Sequence, residues 1–359
     1  MKILVIQHKM IGDVLISSLI CENLRKAYPS ATIHYLVNDN TTPVLEGNKS
    51  IDKIVLFKPK EQKTLVSLLK FAFKIRAEKY DLVIDAYSKL QSWIVTFLSG
   101  ASRKISYQKA GRTFIYTDNV PKLEFPATNL GLAIERRLSL LEPLNLPIET
   151  IVTPRLFVSE TEKEFAKTLF ERYKNDSNRK TVMISLLGSD AYKTYPLDYM
   201  AKIVDFIGLN YDVNLLFNYF PKQIEDAKTV YELCSAETKS KITFDLLGND
   251  LREFIAIMNQ CDLIVGNDGG AINMAKALEK PSFILFSSWI EKKSWATFED
   301  GISHTSVHLK DFKPELFENK STAELKKSSQ ELYVQFEPEL VIPKLSSFLN
   351  RHIKLNNPQ

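Results

Sequence analysis

The sequence is poor in the residues that organise several protein classes. Its three cysteines, Cys21, Cys234 and Cys261, stand far apart in apolar contexts. Three cannot all pair, so they read as buried thiols in a reducing cytoplasm rather than as a disulfide framework. Glycine (12) and proline (15) are sparse among 359 residues, which excludes collagen-like repeats and argues against low-complexity arrays. No apolar run approaches the ~18 residues of a membrane span; the best is WIVTFL, Trp93 to Leu98. The opening MKILVI runs straight into His8, Lys9 and Asp13, so it reads as a strand and not as a secretory signal.

Cofactor and metal signatures are missing too. No two glycines form G-x-G, so the dinucleotide fingerprint is absent, and there is no G-x-x-x-x-G-K phosphate loop. No Asp-x-Asp pair is present to hold a divalent cation on a diphosphate. The five histidines form no ligand set with the cysteines; His304 and His308 have i, i+4 spacing but flank a Ser/Thr/Val stretch that does not look helical. The chemistry is therefore expected to need neither a cofactor nor a bound metal.

What remains is a globular composition, 45% hydrophobic and 25% charged, long enough for two domains. The net charge of +4 is too small to argue for nucleic acid. Its distribution is uneven: residues 1–150 carry +7 and the rest −3. Two segments make the first half basic. One is KTLVSLLKFAFKIRAEK (63–79), apolar at helical spacing; the other is SRKISYQKAGR, with Arg103, Lys104, Lys109 and Arg112. A solvated helix face and an ordinary loop are the plain explanations. The functional one is a half that meets an anionic acceptor or an anionic membrane surface.

Apolar runs and helical stripes alternate along the chain. Strands are predicted at 3–7, 32–37, 53–57, 81–84 and 103–106, with helices at 13–28, 62–79, 89–99 and 129–142. The segment LNLPIETIVTPRLFVS (144–159), with two prolines, marks a domain boundary. The alternation then restarts: helices at 160–174, from Pro196, from Pro221, at 250–260 and at 270–279, strands at 181–187, 213–217, 262–265 and 282–286. This is the pattern of parallel α/β sheets. The expected architecture is two Rossmann-like domains, 1–155 and 156–337, facing a central cleft. A last helix within 338–359 is expected to return to the first domain.

Three strand-to-helix turns carry candidate chemistry. Lys9-Met10-Ile11-Gly12-Asp13 follows the first strand; Gly12 would permit the tight turn and Asp13 would stand at the helix start, where a carboxylate also serves simply as a cap. Gly266-Asn267-Asp268-Gly269-Gly270 follows a buried strand and opens a helix. Its glycines allow close backbone approach, free amides favour phosphate oxygens, and Asp268 could accept from sugar hydroxyls. A plain turn capped by Asp268 is the alternative. Leu187 to Pro196 (LGSDAYKTYP) offers donors at Gly188 and Ser189 and a mobile cation at Lys193.

In this order, the three resemble glycosyltransferase family 9, the lipopolysaccharide heptosyltransferases. The stretch KILVIQHKMIGDVLISSLICENLRKAYPSATIHYLV is similar to the family's first strand, G-D-V turn, helix and R-x-x-x-P-x-A segment. DLLGNDLREFIAIMNQCDLIVGNDGGAINMAKALEKPSFILF resembles its L-x-G, D-x-x-V-x-x-D-x-G and A-x-A-L-x-x-P run, and Lys193-Thr194-Tyr195-Pro196 its Lys-x-aromatic-Pro step. The likeness covers about the first 280 residues.

The resemblance implies a GT-B arrangement and an inverting, metal-independent transfer from a nucleotide-sugar donor, with ADP-heptose a candidate. The acceptor would be an anionic glycan or glycolipid, with no nucleic acid involved, and the protein would sit in the cytoplasm or peripherally at the inner membrane. Asp13 would be the general base and Lys193 the cation that stabilises the leaving diphosphate. Gly188, Ser189, Gln223, Asp268, Gly269, Gly270 and Ala271 would bind the donor, with the amides at 268–270 on the diphosphate and Gln223 at the ribose. Lys9, Gly12, Arg103 and Lys104 would meet the acceptor. The chain departs from the family pattern at Gln7, a frequent basic position, and at Gly269, Ala271 and Asn273, where the family usually has Thr, Pro and His. These departures bear on which sugar is carried. Two other readings are a nucleotide-sugar epimerase of the same architecture and a non-catalytic nucleotide-sugar or glycolipid binder. Incubation with donor alone separates them: an epimerase alters the sugar, a transferase hydrolyses it slowly, a binder leaves it intact.

Overall fold

A computed structural model describes residues 1–147, 149–173 and 178–355. The chain divides into two compact units, one of Met1–Phe157 and one from Val158 onward. The division falls inside the proline-containing segment 144–159.

The first unit runs β1 (Lys2–Ile6), α1 (Ile11–Ala27), β2 (Thr32–Val37), β3 (Lys53–Leu56), α2 (Pro59–Gln62), α3 (Leu65–Ala77), β4 (Leu82–Asp85), α4 (Leu90–Leu98), β5 (Arg103–Tyr107), β6 (Asp118–Val120) and α5 (Leu132–Ser139). Its sheet is wholly parallel, ordered β3-β2-β1-β4-β5-β6. Both faces of β1 and β4 are buried, as the uninterrupted apolar runs require. The chain winds outward from β1 to β3, then returns to lay β4 on the other side of β1. The sheet therefore has its topological switch point between β1 and β4, where α/β sheets bind ligands at their C-terminal edge.

The second unit repeats the plan. Its elements are α6 (Glu160–Tyr173), β7 (Lys180–Ser185), α7 (Leu197–Asn210), β8 (Val213–Asn218), α8 (Ile224–Leu233), α9 (Ala236–Lys239), β9 (Ile242–Thr243), α10 (Leu251–Gln260), β10 (Leu263–Asn267), α11 (Gly270–Ala277), β11 (Ser282–Leu285), α12 (Lys292–Trp295), β12 (His304–Val307), α13 (Thr322–Lys327), α14 (Ser329–Val334) and α15 (Pro338–His352). The parallel sheet is ordered β12-β11-β10-β7-β8-β9, with the switch point between β7 and β10. Residue 174, predicted to end α6, lies outside the described residues.

One expectation is corrected. The C-terminal helix does not return to the first domain: Val341, Leu345, Phe348 and Leu349 form one stripe of α15, all in the core of the second unit against α7 and β12. Phe348 stacks on Phe283 of β11 at 5.7 Å, and the Tyr211 hydroxyl after α7 donates to Asn350 Oδ1 at 2.8 Å. The stripe covers a sheet face that would otherwise be open in its own unit, so burial keeps it there. Residues 356–359, the end of that predicted element, lie outside the described residues. The three cysteines are free and buried. Among the described residues no helix is long and apolar enough to cross a membrane.

Candidate active site

At the switch point of the first unit, α1 starts at Ile11, so Gly12 lies buried within its first turn and not in the turn before it. Asp13 follows in that turn but does not cap the helix; its Oδ1 accepts from Arg137 Nη2. Arg137 lies on α5, which packs along α1, and the guanidinium reaches two successive turns of α1. Its Nε donates to Ser17 Oγ at 3.2 Å and its Nη1 to Ala133 O at 3.1 Å. Burial works against the Arg137 charge, but Asp13, with Tyr107 and Tyr35, outweighs it and holds the guanidinium above its ordinary range. Asp13 Oδ2 accepts no hydrogen bond among the described residues. The carboxylate is thus oriented at one oxygen and open at the other.

Around Asp13 the C-terminal edge of the sheet is polar beneath a cationic rim. His8, buried at the end of β1, stacks on Tyr87 with ring centres 3.9 Å apart. Burial, with Lys9 and Lys89 nearby, pushes its imidazole down to about 3, so it is neutral near pH 7. Asp85, closing β4 opposite Ile6, accepts from Ser88 N at 2.8 Å and from the Tyr116 hydroxyl at 2.7 Å. Burial raises its carboxyl to about 6. Lys109 donates to Ser88 O at 2.7 Å, and Lys109 and Arg112 lie 5.5 and 4.2 Å from the Trp93 ring centre. Lys9, half-buried on the β1–α1 turn, has its carbonyl held by Gln7 Nε2 at 2.6 Å.

Arg103 and Lys104 are not brought to this edge. They begin β5, at the end of the sheet away from Asp13. Arg103 is held there by Asp118, at 3.0 and 3.1 Å, and by Pro143 O at 2.6 Å. Of the basic segment singled out in the sequence, Lys109 and Arg112 are the pair that reaches the C-terminal side.

The second unit carries the other predicted residues together. Lys193, in a single 3-10 turn after β7, stands 4.0 Å from Asp268 Oδ2, after β10. Burial raises the Asp268 carboxyl, against the pull of Lys193 and Lys276. The two loops are joined by Asn267, whose Oδ1 accepts from Tyr195 N at 2.8 Å and whose Nδ2 donates to Leu186 O at 2.8 Å. Gly266 has φ +137°, and a Cβ there would lie 2.2 Å from Ser185 O, so only glycine fits. A Cβ at Gly188 would lie 2.3 Å from Lys193 O.

The carbonyls of the Lys193 loop are turned into the protein. Gly188 O accepts from Gln223 Nε2 at 2.8 Å, and Tyr192 O from Ser287 Oγ at 2.6 Å and Trp289 Nε1 at 2.9 Å. With these carbonyls engaged, the cation this loop offers to an anion is Lys193. Ser189, beside it, donates to Asp190 Oδ2 at 3.2 Å. Gln223 sits in this cluster, but Phe220 N occupies its Oε1 and Gly188 its Nε2. It fastens the loop and keeps a second Nε2 hydrogen and a second Oε1 lone pair uncommitted. Asp268 N is likewise given to Leu285 O at 3.1 Å, so the amides available at this turn are those of Gly269, Gly270 and Ala271, opening α11. Gly269 and Gly270 face open space, with nothing within 4 Å of a Cβ at either.

Arg137, Asp85, Tyr87 and Trp289 were not singled out in the sequence, and Asn267 stood there only as part of its turn. Each owes its place to a partner from another strand or helix, which periodicity does not report. Among the described residues no three His, Cys, Asp or Glu side chains are grouped to hold a metal ion.

Residues 68–321 match the model of glycosyltransferase family 9 (heptosyltransferase). The chain is 24% identical to lipopolysaccharide heptosyltransferase 1 of Campylobacter coli over 298 residues, 80% of this chain and 84% of that one. A family 9 glycosyltransferase structure from Veillonella parvula superposes with a TM-score of 0.78 at 18% identity, covering 97% of both chains. The Escherichia coli ADP-heptose LPS heptosyltransferase II gives 0.71 at 18% identity, covering 98% of this chain and 99% of that one.

Proposed function

The chain belongs to glycosyltransferase family 9, and on that premise we propose that it moves a sugar, heptose or a close relative, from a nucleotide-sugar donor to a lipopolysaccharide-core or similar glycolipid acceptor. The relatives are named for lipopolysaccharide and ADP-heptose, which makes an ADP-sugar the first donor to try. In this reading the second unit holds the donor and the first holds the acceptor. The observation that carries it is Asp13, fixed at one oxygen by buried Arg137 and open at the other, at the switch point of the unit with the cationic rim.

The acceptor hydroxyl attacks the anomeric carbon from the face opposite the nucleoside diphosphate, which inverts the configuration. As the new C–O bond forms, the hydroxyl proton passes to Asp13 Oδ2, a step worth ~10²–10⁴ in rate. The C–O bond to the diphosphate breaks, and the negative charge that grows there is met by Lys193 and the first-turn amides of α11, with no metal called for. Lys89, Lys109 and Arg112 supply cations for an anionic acceptor, with Trp93 as an aromatic surface. Exposed Leu65, Val66, Leu90, Phe97 and Phe114 on α3, α4 and the turn after β5 stand among Lys63, Lys70 and Lys74, a composition suited to peripheral contact with an anionic lipid surface.

The test is Asp13→Asn. Turnover should fall by at least ~10² while binding of nucleoside diphosphate stays within a few-fold of wild type. A variant turning over within about threefold of wild type would remove Asp13 as the base.

A further inference from the structure

The segment α13–α14, residues 322–334, lies beyond the residues that match the family, yet it packs on the Lys193 loop. Gln330 Nε2 donates to Ala191 O at 2.6 Å, and the Tyr195 hydroxyl donates to Phe336 O just after the segment. Tyr195 also meets Tyr333 edge to face at 5.9 Å.

From this segment Lys326 reaches the same indole as Lys193. Lys193 Nζ lies 5.7 Å and Lys326 Nζ 4.9 Å from the Trp289 ring centre, and Lys326 is also 5.3 Å from that of Tyr192. Lys193 has Asp268 beside it. Lys326 has no carboxylate within 4 Å among the described residues. Two ammonium groups on one half-buried indole repel each other, and a polyanion bridging them would turn that repulsion into attraction.

A second observation, independent of the lysines, points to the same place. Ser329 and Tyr333, one helical turn apart on α14, are buried; the Ser329 hydroxyl makes no hydrogen bond among the described residues, and the Tyr333 hydroxyl has Ser287 beside it. Burial raises the Tyr333 hydroxyl, Ser287 works against that and Asp268 and Asp190 add to it, and the Ser288 hydroxyl donates to Ser329 O at 3.5 Å. A buried hydroxyl without a protein partner calls for one, and a polar ligand beside α14 would supply it. Lys326, Ser329, Gln330 and Tyr333 thus all turn toward the loops that bear Lys193 and Trp289.

We propose that α13–α14 is part of the donor site, with Lys326 a second diphosphate-binding cation and Trp289 the platform that sets both lysines for the ligand. This rests on the reading that the second unit binds the donor. It adds a contact from a segment outside the family match, and it gives α13–α14 a task beyond covering the core.

The test is calorimetric titration of the full chain with ADP, GDP, UDP and inorganic pyrophosphate at low and high salt, for wild type, Lys193→Ala, Lys326→Ala and Lys326→Arg. Lys326→Ala should weaken the nucleoside diphosphate that wild type binds by about five- to tenfold, and pyrophosphate by a similar factor. The parent nucleoside should change by less than about twofold, because it carries no phosphate. The loss should shrink at high salt, and arginine should restore most of the affinity. Trp289 emission should respond to diphosphate in wild type and not to the nucleoside. Lys326 is exposed, so its removal leaves folding intact. If Lys193→Ala weakens binding and Lys326→Ala does not, the donor site stands and the part assigned to α13–α14 is wrong. If wild type binds none of these diphosphates, the donor reading falls and this inference with it.

Discussion

The two units share a topology and differ in the charge at its focus. In both, six parallel strands wind outward on one side of a founding strand and then on the other, leaving a switch point beside β1 and beside β7. At the first, a buried arginine holds a half-open carboxylate, Asp13. At the second, a mostly buried carboxylate, Asp268, stands beside a half-open lysine, Lys193. In the proposed function, one sheet plan presents a base in one copy and an anion receiver in the other. The difference lies in the strand-to-helix turns and, for Asp13, in Arg137 on α5. Strand register decides where a ligand can sit, and the few residues after each strand decide what it is.

The largest expected effect that sharpens this contrast is on the donor side. Lys193→Ala should slow the chemical step by ~10²–10³, since its ammonium meets charge that grows as the glycosidic bond breaks. Nucleoside diphosphate binding should weaken by one to two powers of ten, most at low salt, while acceptor affinity is unchanged. Rapid-quench rates and calorimetry check both parts. Equal affinity in the variant would move the donor site away from the second switch point.

Next is the cross-link between the two donor loops. Asn267→Ala leaves Tyr195 N and Leu186 O without their buried partner. It should cost about 2–3 kcal/mol in urea unfolding and weaken diphosphate binding without altering acceptor binding. Asn267→Asp keeps the acceptor for Tyr195 N and should lose less at acid pH, where the carboxyl can be protonated. A neutral Asn267→Ala would show that the loops hold their positions independently.

The first unit predicts a pH dependence of its own. Burial raises Asp85 from 3.8 to about 6, so between those values the folded chain keeps a proton that the unfolded chain has lost. Stability from this group is therefore full below about pH 4 and declines as pH rises through 6. Asp85→Asn removes the titration. The variant should gain on wild type by about 2 kcal/mol between pH 4 and 7, read by urea unfolding at each pH. A constant difference across that range would mean that Asp85 ionises at its ordinary value.

The smallest expected effect is none: EDTA should leave turnover unchanged, because the growing diphosphate charge is assigned to Lys193 and backbone amides. Loss on chelation with recovery in Mn²⁺ or Mg²⁺ would overturn that assignment.

Much of this frame is legible in the sequence, because strands buried on both faces write uninterrupted apolar runs. KILVI, TIHYLV and LIVGN are plain for that reason. The edge strands β6 (DNV), β9 (IT) and β12 (HTSV) are short and polar, and they carry no such signal. The apolar stripe of α15 is equally plain, but a stripe does not say which surface it covers, and the expectation placed it on the wrong unit. Within the site, Asp13, Lys193 and Asp268 stand in turns whose spacing draws attention to them. Arg137 sits in an ordinary Arg-Arg pair on α5, and nothing local reveals that it meets a carboxylate 124 residues away. Arg103 misled for the converse reason: its charge is visible in the sequence, its partner Asp118 is not.

Because α15 stays with the sheet it follows, the chain crosses from one unit to the other once, near Phe157 and Val158. Everything the first unit buries has therefore left the ribosome before the second unit is half made. Its core can close during synthesis without waiting for the last helix, in the order that favours correct folding of large chains. A gene cut between those two residues should yield a first half that folds when expressed alone, whereas a cut before residue 338 would strip the second half of the helix that seals it.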